Sequence, residues 1–399
     1  MRVMILVACL VVLLAGCGSA VAPSASPTDL APAAAAPASP SATNVFAVPT
    51  PTSAPVASPQ PPTATQSAPT PTAPLFPLVS HWQRIEPAGA APPARRDAAL
   101  AYDRARNRVI LFGGRNGETP LDDTWAFDLE SRMWQALATG DAPRPPARFS
   151  VIAGVDEERG RLLITTGQAG AQFFNDVWSF DLATDTWAPV DVAGEAPRPR
   201  YGSAGGILTG SGALYLSHGF SDQGRFDDTW AFDLAANTWR NMTPQGELPL
   251  KRCLHAAASA GPAALVLFGG CSSGFGPCPQ GDTWLFDEHT GSWTNMTAQD
   301  GPSPRQFPSL VQLGDSDELL LFGGQGDGNV DLGDTWVLDV TSRAWSPLAP
   351  GGEQPAARYG HSLVWIDAAT GGQGGVLLFG GRGGGEDLGD LWLLLPGAG

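Results

Sequence analysis

The sequence predicts an all-β fold, a six-bladed β-propeller of four-stranded antiparallel blades whose sixth blade is closed by the N-terminal strand. Three observations predict it. The first is a pair of tryptophan series. Trp125, Trp178, Trp230, Trp284, Trp336 and Trp392 recur at steps of 53, 52, 54, 52 and 56 residues. Trp82, Trp134, Trp187, Trp239, Trp293 and Trp345 recur at steps of 52, 53, 52, 54 and 52. Only Trp365 stands outside both series. A fixed period near fifty residues is the mark of a repeat architecture. The second observation is an apolar run ending at glycine, as in Val109-Ile110-Leu111-Phe112-Gly113-Gly114 and Leu319-Leu320-Leu321-Phe322-Gly323-Gly324, degenerate in the second and third units at Thr166-Gly167 and His218-Gly219. The third is a mismatch at the chain ends. The sixth unit stops after Leu395 without its second Trp, while Trp82 precedes the first unit.

The elements follow in order. Residues 1–16 read as a removable secretory signal, with Arg2 ahead of an apolar run from Val3 to Ala15 that is short for a bilayer span. Leu14-Ala15-Gly16-Cys17 resembles a bacterial lipobox, which implies that Cys17 is lipidated and becomes the first mature residue. Residues 17–76 are rich in Pro, Ala, Ser and Thr, with Asp29 as the one charged side chain. Such a stretch buries too little apolar surface to offset its ordering entropy and is expected to be a disordered tether. Residues 77–399 form the propeller.

Each unit supplies four short strands separated by Gly, Pro, Asn and Asp. Strand a follows a Pro-Arg segment, b ends at the glycine, c opens at an Asp-x-Trp such as Asp123-Thr124-Trp125, and d carries the second Trp. One such sheet cannot bury both faces alone, whereas radial packing of six buries them against each other. The segment His81-Trp82-Gln83-Arg84-Ile85 is then expected to serve as strand d of blade 6, removing a weak seam.

The glycine pair, the Asp-x-Trp and the second Trp resemble the Kelch motif, six times over residues 80–395. The fold this implies is specific, but its function is not, because Kelch propellers include adaptors and enzymes. WD40 units are shorter, near 40–45 residues. Asp331-Leu332-Gly333-Asp334-Thr335-Trp336 and Asp387-Leu388-Gly389-Asp390-Leu391-Trp392 overlap in part with the sialidase Asp-box but lack its leading Ser or Thr.

Strand parity assigns the loops to two rims: d–a with b–c, and a–b with c–d. The first rim holds a periodic arginine: Arg95, Arg148, Arg200, Arg252, Arg305 and Arg358. In adaptor-type Kelch propellers the matching Arg and loops form the ligand face, which implies an anionic ligand, a glycan or a protein partner here. The competing reading pairs each Arg with an Asp such as Asp123, Asp176 or Asp228 to hold the fold. Phe149, Tyr201, His255, Phe307, Tyr359 and His361 follow these arginines without strict repetition. They are the better binding candidates, with packing between blades as their alternative.

The net charge of −16 and pI near 4.6 argue against nucleic acid and anionic lipid surfaces, so membrane contact is expected through the anchor alone. No nucleophile motif, phosphate loop or metal signature stands out, and no cofactor is expected. The acidic loops at Asp315–Glu318 and Asp327–Asn329 lack a full calcium ligand pattern. Export permits a disulfide, and Cys271 with Cys278 in one short loop is the preferred pair, leaving Cys253 free and half-buried. The expected protein is therefore an extracytoplasmic, lipid-anchored, monomeric binding module. A carbohydrate-active enzyme of the mutarotase or galactose-oxidase kind is its alternative.

Overall fold

The computed structural model describes residues 80–138, 140, 142–367 and 374–396. The signal segment, Cys17 and the tether at 17–76 lie outside these residues. Six four-stranded antiparallel sheets form the blades. In blade 1, strand a is Ala99–Asp103, b Arg108–Phe112, c Thr124–Asp128 and d Met133–Leu137. The strands a of blades 2 to 6 are Ile152–Asp156, Ala204–Leu208, Ala256–Ala260, Ser309–Gln312 and Ser362–Ile366. Each strand a touches the next around a closed ring, so these six strands surround the propeller axis. Among the described residues no helix is long and apolar enough to cross a membrane.

Blade 6 closes as its residue pattern requires. Its strand c, Leu391–Pro396, pairs on one side with Gly375–Phe379 and on the other with the N-terminal strand Ser80–Ile85. Trp82 sits opposite Leu394 and Ile85 opposite Leu391, so both indole series reach six blades.

Period-2 alternation explains the continuous apolar runs of strand b. Val109 and Leu111 face the seam between blades 6 and 1, while Ile110 and Phe112 face the seam between blades 1 and 2. Both faces are covered, so polar alternation disappears. Each seam holds one apolar layer of this kind. Each fully covered Leu, Ile or Phe contributes about 1.5–3 kcal/mol relative to exposure.

The strand d indoles stitch the seams. Trp187 donates to Thr124 Oγ1 of the preceding blade at 2.9 Å, Trp293 to Thr229 at 3.0 Å and Trp345 to Thr283 at 3.0 Å. Trp239 has no such bond: the matching first residue of strand c in blade 2 is Val177, and its buried Nε1 lacks an acceptor.

Candidate functional site

The d–a/b–c rim is built on a triad repeated in every blade. The Asp two residues before the strand c indole accepts its Nε1–H, as Asp123 does from Trp125 at 2.7 Å and Asp282 from Trp284 at 2.7 Å. Residues i and i+2 share one face of a strand, which is why the motif reads Asp-x-Trp. The same carboxylate accepts two guanidinium N–H groups. Arg95 bonds Asp123 at 2.6 and 2.7 Å, and Arg252 bonds Asp282 at 2.6 and 2.7 Å. Arg148, Arg200, Arg305 and Arg358 hold Asp176, Asp228, Asp334 and Asp390 in the same way.

The remaining donors are also used. Each Nε donates to the carbonyl two residues back, and Nη1 donates to the carbonyl that ends strand b, such as Gly113, Thr166 or His218. All six arginines are 0–1% exposed. Phe174 and Phe226 lie under Arg148 and Arg200, with ring centroids 3.8 and 3.9 Å away. Burial on its own raises the six carboxyls. The arginine hydrogen bonds and charges outweigh it and hold all six below the usual range. The ring therefore turns its charge inward, onto its own scaffold.

The glycine that ends strand b belongs to the same unit. Gly113 has φ of 63°, and a Cβ there would lie 2.7 Å from the Arg148 carbonyl oxygen. In the degenerate blades Thr166 and His218 adopt the same left-handed backbone, at φ of 65° and 56°.

Above the ring, the next layer of the rim comes from the residue after each ring Arg, most of which are themselves buried. The backbone of each pairs with the start of the b–c loop: Arg96 with Arg115, Phe149 with Gln168, Tyr201 with Phe220, Cys253 with Cys271, Gln306 with Gln325 and Tyr359 with Arg382. These twelve side chains differ by blade and divide the rim by chemistry. Over blades 2 and 3, Phe149, Phe173, Tyr201 and Phe220 pack edge to face or tilted, with centroids 5.8–6.3 Å apart. Arg115 stands 4.3 Å over Phe149. Over blades 6 and 1 the groups are charged. Asp387 takes Arg96 and the Gly117 amide, with Arg382 at 3.2 Å, and Arg115 bonds Asp97 at 2.9 Å.

The sequence-derived candidates distribute as follows. Phe149 and Tyr201 join the aromatic group, and Phe307 meets Tyr359 at 5.4 Å. His255 and His361 are only 5% and 4% exposed and lie between blades, His255 5.5 Å from His218 and His361 edge-on to Phe322. Burial, with Arg358 and Arg252 nearby, depresses His361 and His218 to about 3. Burial and His218 push His255 down as well. Cys271 and Cys278 form a disulfide. Cys253 is neither free nor half-buried: it is fully buried, and its backbone exchanges two hydrogen bonds with Cys271. Phe220, Arg115 and Arg382 are not evident from the sequence. Their signal is position, at or within a few residues of the glycine that ends strand b. Among the described residues no group of three His, Cys, Asp or Glu is placed to hold a metal ion.

Comparison with known proteins agrees with this geometry. The KLHDC2/KLHL20/DRC7 Kelch-repeats domain matches residues 77–270 and 255–397. Adagio-like protein 1 of Oryza sativa subsp. japonica is 29% identical over 339 residues, covering 78% of this chain and 50% of that protein. Kelch domain-containing protein 10 of Xenopus tropicalis is 27% identical over 291 residues, 67% of each chain. Acyl-CoA-binding domain-containing protein 5 of Arabidopsis thaliana is 26% identical over 315 residues, 76% of this chain and 47% of that protein. The chain thus spans about half the length of two of these relatives.

Proposed function

The chain belongs to the Kelch-repeat family, and on that premise we propose that it is a protein-interaction module whose docking surface is the d–a/b–c rim. The observation that carries this reading is where apolar surface is left uncovered. Four large hydrophobic side chains are exposed among the described residues. Leu250 at 45%, Phe275 at 54% and Val330 at 58% stand on this rim, and only Met133 stands on the other. The bias of exposed apolar side chains to one rim is the support for an interaction site there. The partly buried Phe173 and Phe220 lie on the same rim, and Arg382, 28% exposed, can offer a guanidinium to a partner's carboxylate.

We propose further that the propeller is carried outside the cytoplasm on a lipid anchor. The support is Leu14-Ala15-Gly16-Cys17 at the end of an apolar run and ahead of a Pro-rich stretch. Cys17→Ser is expected to move the protein from the membrane fraction to the soluble one; unchanged retention contradicts the anchor.

The docking reading is tested by capturing partners from the producing cell with three proteins: wild type, a Leu250→Ser/Phe275→Ser double variant and Met133→Ser. The expected result is a partner recovered with wild type and Met133→Ser and lost with the double variant, all three melting alike. The same recovery with all three contradicts it.

A further inference from the structure

We propose that the Cys271–Cys278 disulfide is a thiol-exchange site. An external thiolate attacks Cys278 Sγ, the bond between the two cysteines breaks, and Cys271 Sγ leaves as a thiolate beside the Arg225 guanidinium. This goes beyond the docking reading, because it is a reaction at one bond. The disulfide is a departure from the repeat: blades 1, 2, 3, 5 and 6 build their b–c loops without cysteine. It joins cysteines only seven residues apart, and a short closed loop constrains the unfolded chain least. The loop is also held by its backbone. Ser272 N donates to the Pro277 carbonyl at 3.1 Å, Phe275 N and Gly276 N to the Ser272 carbonyl at 2.7 and 2.9 Å, and Gln280 N to the Gly270 carbonyl at 2.7 Å. Opening the disulfide therefore leaves the blade standing, and the exchange is reversible.

The two sulfurs differ in access. Cys271 is fully buried, and its backbone is laddered to Cys253 by hydrogen bonds of 2.8 and 3.1 Å. Cys278 is partly exposed and follows the exposed run Gly274-Phe275-Gly276-Pro277. Exchange needs one sulfur that a thiolate reaches and another that departs. Access assigns the first part to Cys278 and the second to Cys271.

The departing sulfur has a cation in place. Arg225 lies in the b–c hairpin of blade 3, paired across it with Phe220. Its Nε donates to the Cys271 carbonyl at 3.2 Å and its Nη1 to the Ser273 carbonyl at 2.8 Å. These two bonds aim Nη2 at Cys271 Sγ, 3.7 Å away. Each ring arginine is paired with an aspartate, whereas Arg225 forms no ion pair among the described residues, so its charge is left for the sulfur. A neighbouring guanidinium lowers the pKa of a thiol, and a thiol of lower pKa leaves faster. Lys251 adds a second cation at the loop, 5.6 Å over the Phe275 ring and 3.9 Å from Asp227.

The step balances without an added oxidant. The incoming thiol gives its proton to solvent, one S–S bond forms as one breaks, and the departing electron pair rests on Cys271 Sγ. The product is a mixed disulfide at Cys278. The reverse attack by Cys271 on that mixed disulfide restores the loop and releases the thiol. The co-reactant is a thiol, from a small molecule or from a cysteine of a protein seated on this rim beside Leu250 and Phe275.

The test incubates the folded full chain with reduced glutathione, quenches with acid, alkylates in denaturant and maps the peptides. Glutathione is expected on Cys278, with an alkylated Cys271 that the untreated chain lacks. No adduct, or an adduct on Cys271 or Cys253 in place of Cys278, overturns the proposal. Arg225→Gln is expected to slow the exchange roughly threefold or more, and Arg225→Lys, which keeps the charge, to stay nearer the wild-type rate. If both variants melt lower, the comparison between them still decides, because only their charge separates them. A wild-type rate in Arg225→Gln, or a Lys variant as slow as the Gln variant, overturns the part given to Arg225 and with it the proposal. Acetyl-Leu-Cys-Leu amide, run beside glutathione, separates the two sources. Faster exchange with this apolar thiol assigns the site to a partner's cysteine, and equal or slower exchange assigns it to a small thiol. The docking reading fails separately, since glutathione reaches Cys278 whether or not Leu250→Ser/Phe275→Ser loses a partner.

Discussion

The two rims of this propeller use repetition differently. On the d–a/b–c rim one arginine recurs six times and is buried six times, while the side chains beside it change from aromatic to cysteine, amide and guanidinium around the ring. On the a–b/c–d rim the recurring residue is the Asp that closes strand c. Asp128, Asp181, Asp233, Asp287 and Asp339 accept backbone amides of the following turn. The varying residues there tie blades together: Arg108 of blade 1 bonds Asp185 of blade 2 at 2.6 Å, and Arg161 of blade 2 reaches the Leu234 carbonyl of blade 3. On both rims the repeated polar residue maintains the blade. What distinguishes this protein is written in the departures, such as Phe173, Phe220 and Phe275 on the d–a/b–c rim.

The largest expected effect breaks both rims at once. Truncation through Ile85 removes Trp82 from the apolar layer between blades 5 and 6 and leaves strand c of blade 6 as an open edge. That chain is expected to aggregate or lose cooperative unfolding, whereas truncation through residue 77 leaves the melting temperature unchanged. Equal melting of the two truncated chains contradicts closure by the N-terminal strand.

Acid separates the rims. His218 and His361 sit beneath the d–a/b–c rim with values near 3, against about 6.5 in an unfolded chain. Below about pH 6.5 the unfolded chain therefore takes up protons that the folded chain refuses until near pH 3, so stability is full above this window and falls through it. The ring carboxylates, held below their ordinary 3.8, add loss at the bottom of the window. The loss from pH 7 to pH 4 is expected to be about 3 kcal/mol for each histidine, on the order of 6 kcal/mol for the two together. Hydrogen exchange should show it first in segments of this rim, and His361→Phe should flatten the profile. A pH-independent denaturation midpoint contradicts this.

The smallest effect sharpens one seam. Val177→Thr places a hydroxyl where Trp239 lacks an acceptor, and is expected to stabilise by about 0.5–1 kcal/mol in denaturant titration. A loss of stability would show that the valine methyl matters more than the bond.

Much of this was legible before the structure. The Trp periods count the blades, and the orphan Trp82 locates the closure. The partner of each arginine was left open, since its Asp lies 28 to 32 residues away and spacing does not say whether a guanidinium turns inward. Two carboxylate oxygens and a strand-end carbonyl decide that, and they turn it inward. The aromatic group was only half legible. Phe149 and Tyr201 follow ring arginines, but Phe173 and Phe220 join them through hairpins whose contacts cross blades. Thr166 and His218 looked like decay of the glycine pair, yet both keep its left-handed backbone because the Arg–carbonyl bond still requires it.

The central claim is that the arginine ring is scaffold and its varying neighbours form the display. Denaturant unfolding of Arg200→Ala, Asp228→Ala and the double variant tests it most directly, with Arg104→Ala as reference, a residue 53% exposed in the turn after strand a of blade 1 on the other rim. The account predicts a loss of about 3 kcal/mol or more for Arg200→Ala, which leaves a partly buried carboxylate without its partner. It predicts less than about 1 kcal/mol for the exposed Arg104. The double variant should lose less than the sum of its singles, a coupling of at least about 1 kcal/mol. Wild-type stability in Arg200→Ala, or strict additivity of the two substitutions, would contradict the account and return the ring to the binding surface.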